Sequence, residues 1–149
     1  MNVTIRLLSA LDLEAAERVS HACFEHDGER PEFEDELDRP YAHCILAYDK
    51  NHICIGYALG WHLGDVLDVI SVGVHPDARK QGVGEALMKA LMQRAKEAEV
   101  ESLCLDVRAS NAPAIALYAK LGFTAVGKRR QYYRDGEDSL TMQGGWATS

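Results

Sequence analysis

The sequence predicts a single mixed α+β domain, and three observations carry that reading. The 149 residues suit one compact unit, and 47% of them are hydrophobic, enough to build a core. Apolar residues recur with period two in some segments and with helical period in others, in the order β α α β β β α β α β β. The chain also shows no internal repeat and no linker between its patterned segments.

The elements follow in order. "VTIRLL", residues 3–8, reads as a strand. Ser9 followed by Asp12 resembles a capping box, and Leu13, Ala16 and Val19 then recur at helical spacing, giving a first helix to about Phe24. Pro31 is placed to open a short second helix over "PEFEDELD", because proline suits a first helical turn. "HCILAY" and "ICIGYALGW" flank the turn signal "DKN" and form a hairpin. In its second strand Ile53, Ile55, Tyr57, Leu59 and Trp61 alternate and mark one buried face. "VLDVISVGV", residues 66–74, is apolar on both faces, as a central strand is, and Pro76 ends it. A helix over 84–99 lines up Leu87, Ala90, Leu91 and Ala95, with Lys89 and Arg94 outward. "SLCLDV", residues 102–107, is the next strand. Asn111 caps a helix with Pro113 in its first turn, and Gly122 stops it. "FTAVGK" and "DSLTMQ" are the last strands, joined across "RRQYYRDGE".

Composition removes several function classes. A net charge of −7 makes nucleic acid a poor partner for the chain as a whole. No apolar run approaches the roughly 20 residues of a membrane span, so no membrane partner is expected. The first residues carry acids and no signal-like apolar core, which reads as the opening of a cytoplasmic protein. The cysteines form no C-x-x-C, and Cys44, Cys54 and Cys104 sit in apolar runs as small hydrophobes. With no H-E-x-x-H either, no metal is expected. The charge is uneven: "EHDGERPEFEDELD" holds eight acids against one arginine, and "KRRQYYR" holds four bases and no acid.

The most informative stretch is "RKQGVGEAL", at the start of the helix that follows the central strand. Backbone N–H groups at a helix start lack internal partners, and the helix dipole favours negative charge there. Glycine lets a phosphate approach with no Cβ in the way. Arg79, Lys80, Gln81, Gly82, Val83 and Gly84 therefore read as a phosphate cradle, the alternative being a tight turn alone. It is not a P-loop, because Glu85 stands where a lysine would reach the terminal phosphates. It is not a dinucleotide fingerprint, because Leu87 stands where a third glycine belongs and seven residues separate Val74 from Gly82.

"VGVHPDARKQGVGEAL" resembles the signature of the GNAT acetyltransferases, R/Q-x-x-G-x-G/A after a central strand, and "LDVRASNAPAIALYAKLGF" resembles their second signature. The inferred element order is similar to theirs over nearly the whole chain. Within the family, "DVRASNAPAIALYAKLGF" and "RRQYYRDGEDSLTM" are most similar to the bacterial ribosomal-protein alanine N-acetyltransferases, a likeness that covers mainly the C-terminal half. The resemblance implies a GNAT fold over residues 1–149, with a central, mostly antiparallel sheet, splayed parallel central strands and flanking helices. It implies acetyl-CoA as co-substrate, its pantetheine amides pairing with the backbone of Val72, Gly73 and Val74 and its pyrophosphate lying on the amides of residues 79–84. Gly73 fits on its own terms, since a strand glycine often marks a bulge or a close approach. Asn111 matches a family asparagine near the pantetheine arm and is at the same time a plain N-cap.

The implied reaction is direct attack of a primary amine on the thioester. An α-amino group, with pKa about 7.7–8.0, is an easier nucleophile at neutral pH than a lysine near 10.4. Tyr118, in "ALY", matches the family's acid for the departing thiolate, the alternative being a packing tyrosine. Asp106 matches the base position, where the alanine N-acetyltransferases carry a glutamate, and is one methylene shorter. It lies on the strand face opposite Leu103, Leu105 and Val107. Asp68, on the other central strand, is the rival base or else a solvated carboxylate. The N–H of Val74 is the implied oxyanion donor. Tyr132 and Tyr133 would pack over the first residues of a peptide acceptor. Glu29, Glu32, Glu34 and Asp35 would attract a cationic peptide or simply solubilise a helix face. The implied acceptor is a protein N-terminus, ribosomal protein S18 by resemblance. A small amine (polyamine, amino acid or antibiotic) is the alternative, and a non-catalytic acyl-CoA binder, which the presence of both Tyr118 and Asp106 speaks against, is a third.

Overall fold

The computed structural model describes residues 2–24 and 29–145. The elements are β1 (Thr4–Leu7), α1 (Leu13–Cys23), α2 (Phe33–Leu37), β2 (Ala42–Tyr48), β3 (Cys54–Leu63), β4 (Val66–Val74), α3 (Val83–Glu97), β5 (Ser102–Arg108), α4 (Ala112–Lys120), β6 (Thr124–Arg129) and β7 (Ser139–Gly144). That is the order the sequence predicts. The seven strands form one sheet in the order β1-β2-β3-β4-β5-β7-β6. Every neighbouring pair is antiparallel except β4 and β5 at the centre.

Each face of the sheet has its own core. On one, Val83, Leu87, Leu91 and Ala95 of α3, a helical stripe, pack on Ala58, Leu67, Val69, Leu103, Leu105 and Val107, with Tyr118 of α4 joining them. On the other, Ala16 and Val19 of α1 and Phe33 of α2 pack on Leu46, Tyr57 and Leu59. The Phe33 ring meets that of Tyr57 edge-on at 5.1 Å between centroids. The backbone N–H of Ser9 donates to the Asp12 carboxylate at 2.9 Å, closing the predicted capping contact before α1. Pro31 does not open α2: Glu32 is the N-cap, so the proline lies one residue before the cap.

Two irregularities set the centre of the sheet. Between β2 and β3 the register passes from Ala47↔Gly56 to Tyr48↔Cys54, so Ile55 is an extra residue. It consequently packs in the α3 core while Tyr57 and Leu59 pack in the α1 core, and Ile53 is exposed. The single buried face expected of Ile53 to Trp61 is thus corrected, because a bulge inverts the alternation. In β4 the register passes from Leu59↔Ser71 to Gly60↔Val69, leaving Ile70 as the extra residue. Leu67, Val69, Val72 and Val74 then lie toward α3. Beyond this bulge β4 has lost its other neighbour. The parallel pairing with β5 runs only from Val66↔Ser102 to Val69↔Leu105. β4 continues to Val74 and β5 to Arg108, so the two strands diverge and leave a gap at the centre of the sheet.

Candidate active site

The edges of the gap follow from the ladder. The N–H of His75 donates to the Ile55 carbonyl at 2.9 Å, on the β3 side. Strand period two then turns Gly73 and Ser71 toward β3 and leaves the N–H and C=O groups of Val72 and Val74 facing the gap. Of the three residues expected to bind through their backbone, Gly73 is therefore the one whose polar groups are spent on the sheet. Its missing side chain has a local reason. A Cβ there would lie 2.6 Å from the Tyr57 ring and 3.2 Å from Cys23 Sγ, so the close approach is made by the chain itself. The Val74 carbonyl accepts from Arg79 Nε at 3.0 Å and from the Cys23 thiol at 3.3 Å, which leaves its N–H for a ligand.

The loop after β4 delivers the start of α3 to one end of the gap. Gly82 is the N-cap, at φ +83, a left-handed conformation that suits glycine. Lys80 is also left-handed, at φ 63. With Arg79 tied back to Val74, the N–H groups that open α3 lie beside the end of β4. Gly84, in the first turn, faces α4 across this space: a Cβ would meet Leu117 at 3.4 Å and Val74 at 3.8 Å. Asn111 Oδ1 accepts from the N–H of Ala114 at 3.2 Å, so the capping role is present. Tyr118 is buried, and its hydroxyl has no hydrogen-bond partner among the described residues. Burial, and then the approach of Tyr133, push its pKa up to about 12. A buried hydroxyl without a partner costs stability unless a ligand completes it. That orphaned group, together with free strand edges and a helix N-terminus, fits a long thioester carrying amides and a diphosphate.

The opposite face of the gap is carboxylate-rich. Alternation along β5 buries Leu103, Leu105 and Val107 toward α3 and puts Cys104, Asp106 and Arg108 on the α1 side. Asp68, paired with Cys104, lies on the same side. Burial, followed by the charge of Asp106, raises the pKa of Asp68. Asp106 itself is hydrogen-bonded to Thr141 at 2.6 Å, Ser139 at 3.0 Å and Arg129 at 3.2 Å. The structure thus brings Asp68 and Asp106 together on one side of the gap and sets Tyr118 on the other.

Tyr132 and Tyr133 sit in the loop between β6 and β7 with rings edge-on at 5.1 Å. Arg108, two residues beyond Asp106, stacks its guanidinium over Tyr133 at 4.2 Å and pairs with Asp135 at 2.9 Å, Glu137 at 3.0 Å and Glu29 at 2.5 Å. It ties the segment before α2 to the loop before β7. Glu36 is buried and accepts from Trp61 Nε1 at 2.9 Å and from Arg39 at 2.5 Å. Two carboxylates of the acidic stretch are therefore committed inside the fold, and residues 25–28 of it lie outside the described residues. Thr141, Ser139, Arg129 and Arg108 escape a reading of the sequence. The signal for the first two is present: Ser139 and Thr141 alternate with Leu140 and Met142, which gives β7 a polar face.

A sheet parted between two parallel strands, a phosphate-ready helix start on one side and a carboxylate pair on the other, defines an enzyme that brings an acyl thioester to an amine. The chain belongs to the acetyltransferase (GNAT) family, whose pattern matches residues 10–123. It is 34% identical over 142 residues to the [ribosomal protein bS18]-alanine N-acetyltransferase of Escherichia coli (strain K12), covering 93% of this chain and 95% of that one. The crystal structure of the ribosomal-protein-S18-alanine N-acetyltransferase from Escherichia coli superposes with a TM-score of 0.87 at 29% identity, covering 99% of this chain and 96% of that chain. A Bacillus anthracis structure in complex with acetyl coenzyme A shares the fold at a TM-score of 0.84 and 18% identity, covering 99% and 100%. The protein is an N-acetyltransferase, and acetyl-CoA is its acetyl donor.

Proposed function

We propose that this enzyme acetylates the N-terminal α-amino group of a protein, an alanine-initiated terminus of the kind named for its Escherichia coli relative. The observation that carries this is the acceptor side of the gap. A carboxylate pair lies near Tyr133, and Arg108 holds that tyrosine loop to the segment before α2. An extended peptide end fits between such walls. Of the acids that would draw a polyamine, Glu29 is already engaged by Arg108, while Glu32, Glu34 and Asp35 stay exposed.

In this reading Val72 and Val74 bind the pantetheine amides along the free edge of β4, flanked by Gly73. The N–H groups of residues 79–84 take the diphosphate, and Asn111 adds a contact beside its cap. Acetyl-CoA supplies an activated acetyl group whose C–S bond breaks as the N–C bond forms. Asp106, with Asp68 beside it, takes the proton that the amine loses. Asp106 is shorter than the glutamate expected at its position and is held against Thr141, so the proton reaches it through a water. Tyr118 gives its proton to the departing sulfur and is suited to this by a hydroxyl that stays protonated at neutral pH. The free thiols Cys23, Cys44, Cys54 and Cys104 suit the reducing cytoplasm.

A thiol-release assay tests the acceptor. Alanine-initiated peptides should turn over with kcat/KM at least about tenfold above polyamines and free amino acids, the scale of one well-made contact. Turnover of polyamines alone would show this acceptor to be wrong.

A further inference from the structure

Asp106 is densely hydrogen-bonded, and every one of those contacts falls on a single oxygen. Its Oδ1 accepts from Thr141 Oγ1 at 2.6 Å, Ser139 Oγ at 3.0 Å and Arg129 Nε at 3.2 Å. Among the described residues nothing donates to Oδ2. The two hydroxyls come from β7, the neighbouring strand, where Thr141 stands opposite Asp106. The guanidinium comes from β6, the edge strand, where Arg129 stands opposite Ser139. Arg129 therefore reaches across β7 to touch β5. Its guanidinium also lies over the Tyr132 ring, 5.5 Å from the centroid, so it spans from the tyrosine lip to the carboxylate.

Asp68 stands in contrast. It is half-buried on β4 and accepts no hydrogen bond from a described residue. Among the described residues the groups around the pair include Cys104 on β5, Thr141 and Ser139 on β7, Arg129 on β6, Tyr133 from the loop, and Trp61, which stands opposite Asp68 on β3. Arg129 is the cation that acts on both carboxylates.

We infer that Arg129 is a positioning residue for acetyl transfer: with Thr141 and Ser139 it pins Oδ1 of Asp106, so that Oδ2 and the unbonded carboxylate of Asp68 form the proton-accepting pair. The inference rests on the reading that this face receives the acceptor's proton. Three donors on one oxygen fix the plane of the Asp106 carboxyl. Asp68 is then the group whose protonation responds, because its burial and the Asp106 charge oppose ionisation while Arg129 favours it.

The test has two arms. In the first, the aspartate carboxyls of the wild type, Arg129→Gln and Arg129→Lys are followed by carbon-13 NMR as pH is varied. Loss of the cation should raise the Asp68 midpoint by about half a pH unit at low ionic strength, the scale of a partly exposed ion pair. The lysine variant should restore the midpoint, and high salt should erase the difference. In the second arm, the acidic limb of kcat/KM for the acceptor should move up with that midpoint while KM for acetyl-CoA holds. Thr141→Val, which keeps the shape and removes the hydroxyl, should lower kcat roughly tenfold with the thermal midpoint unchanged. An unmoved Asp68 in Arg129→Gln overturns the clamp whatever the acceptor is. A moved Asp68 with an unmoved kinetic limb overturns the role of this face in proton transfer.

Discussion

Tyr118 illustrates how a stability deficit and a proposed catalytic role meet in one atom. Its hydroxyl is buried without a partner among the described residues, so deleting it relieves a cost. Tyr118→Phe should therefore keep or slightly raise the thermal midpoint while lowering kcat on the order of 100-fold, with KM for acetyl-CoA little changed. Calorimetry beside a thiol-release assay checks both, and a loss of stability to match the loss of rate would assign the residue to packing. Asp12 is the opposite case. Burial opposes its charge, but hydrogen bonds from Tyr48, Ser9 and Arg6 outweigh it and hold the pKa at about 2, against an ordinary 3.8. Because the folded value is depressed, this contribution is complete above the ordinary value and fades as pH falls toward 2. Asp12→Asn should lose stability at pH 7, by on the order of 1–2 kcal/mol, and should lose less than the wild type on acidification. Urea unfolding at several pH values reads this directly. As candidates, Tyr118 and Asp106 stand out in the sequence because each lies in a contiguous motif. The partners of Arg108 are not, because Glu29 and Asp135 are joined to it only by tertiary folding.

The elements themselves are legible almost throughout, because α1, α3 and the alternating strands each bury one face and so print their period on the chain. What period two does not show is a bulge. The apolar run of β4 reads as uniformly buried, yet Ile70 is 38% exposed and is the first residue beyond the pairing with β5. A trace does survive: Asp68 and Ser71 stand three apart, and both lie away from the α3 core, a spacing that regular alternation forbids. The turn into α3 is a firmer expectation. Gly82→Ala meets no atom within 4 Å but must hold φ at +83, so its cost is conformational, about 1 kcal/mol. It should weaken acetyl-CoA binding while leaving kcat at saturating donor near wild type, which isothermal titration and initial rates together would show. A drop in kcat at saturation would mean that the loop serves the chemistry and not only binding.

Across the whole molecule, stability and activity are both organised around the interrupted centre of the sheet. Strands β1 to β4 and β5 to β7 each pair continuously among themselves, and the two groups are joined through four residue pairs. The outer pairing and the two helical layers carry the fold, which frees the middle for binding. Acetyl-CoA should accordingly raise the melting temperature in proportion to the logarithm of its concentration. The gap is furnished from both sides, with Tyr118 and the opening turn of α3 toward one layer and Asp68 and Asp106 toward the other. In the proposed reading donor and acceptor thus have separate doors, and neither blocks the exit of the other. Reciprocal plots against the two reactants should intersect instead of running parallel, and no acetylated form of the enzyme should accumulate when the amine is withheld.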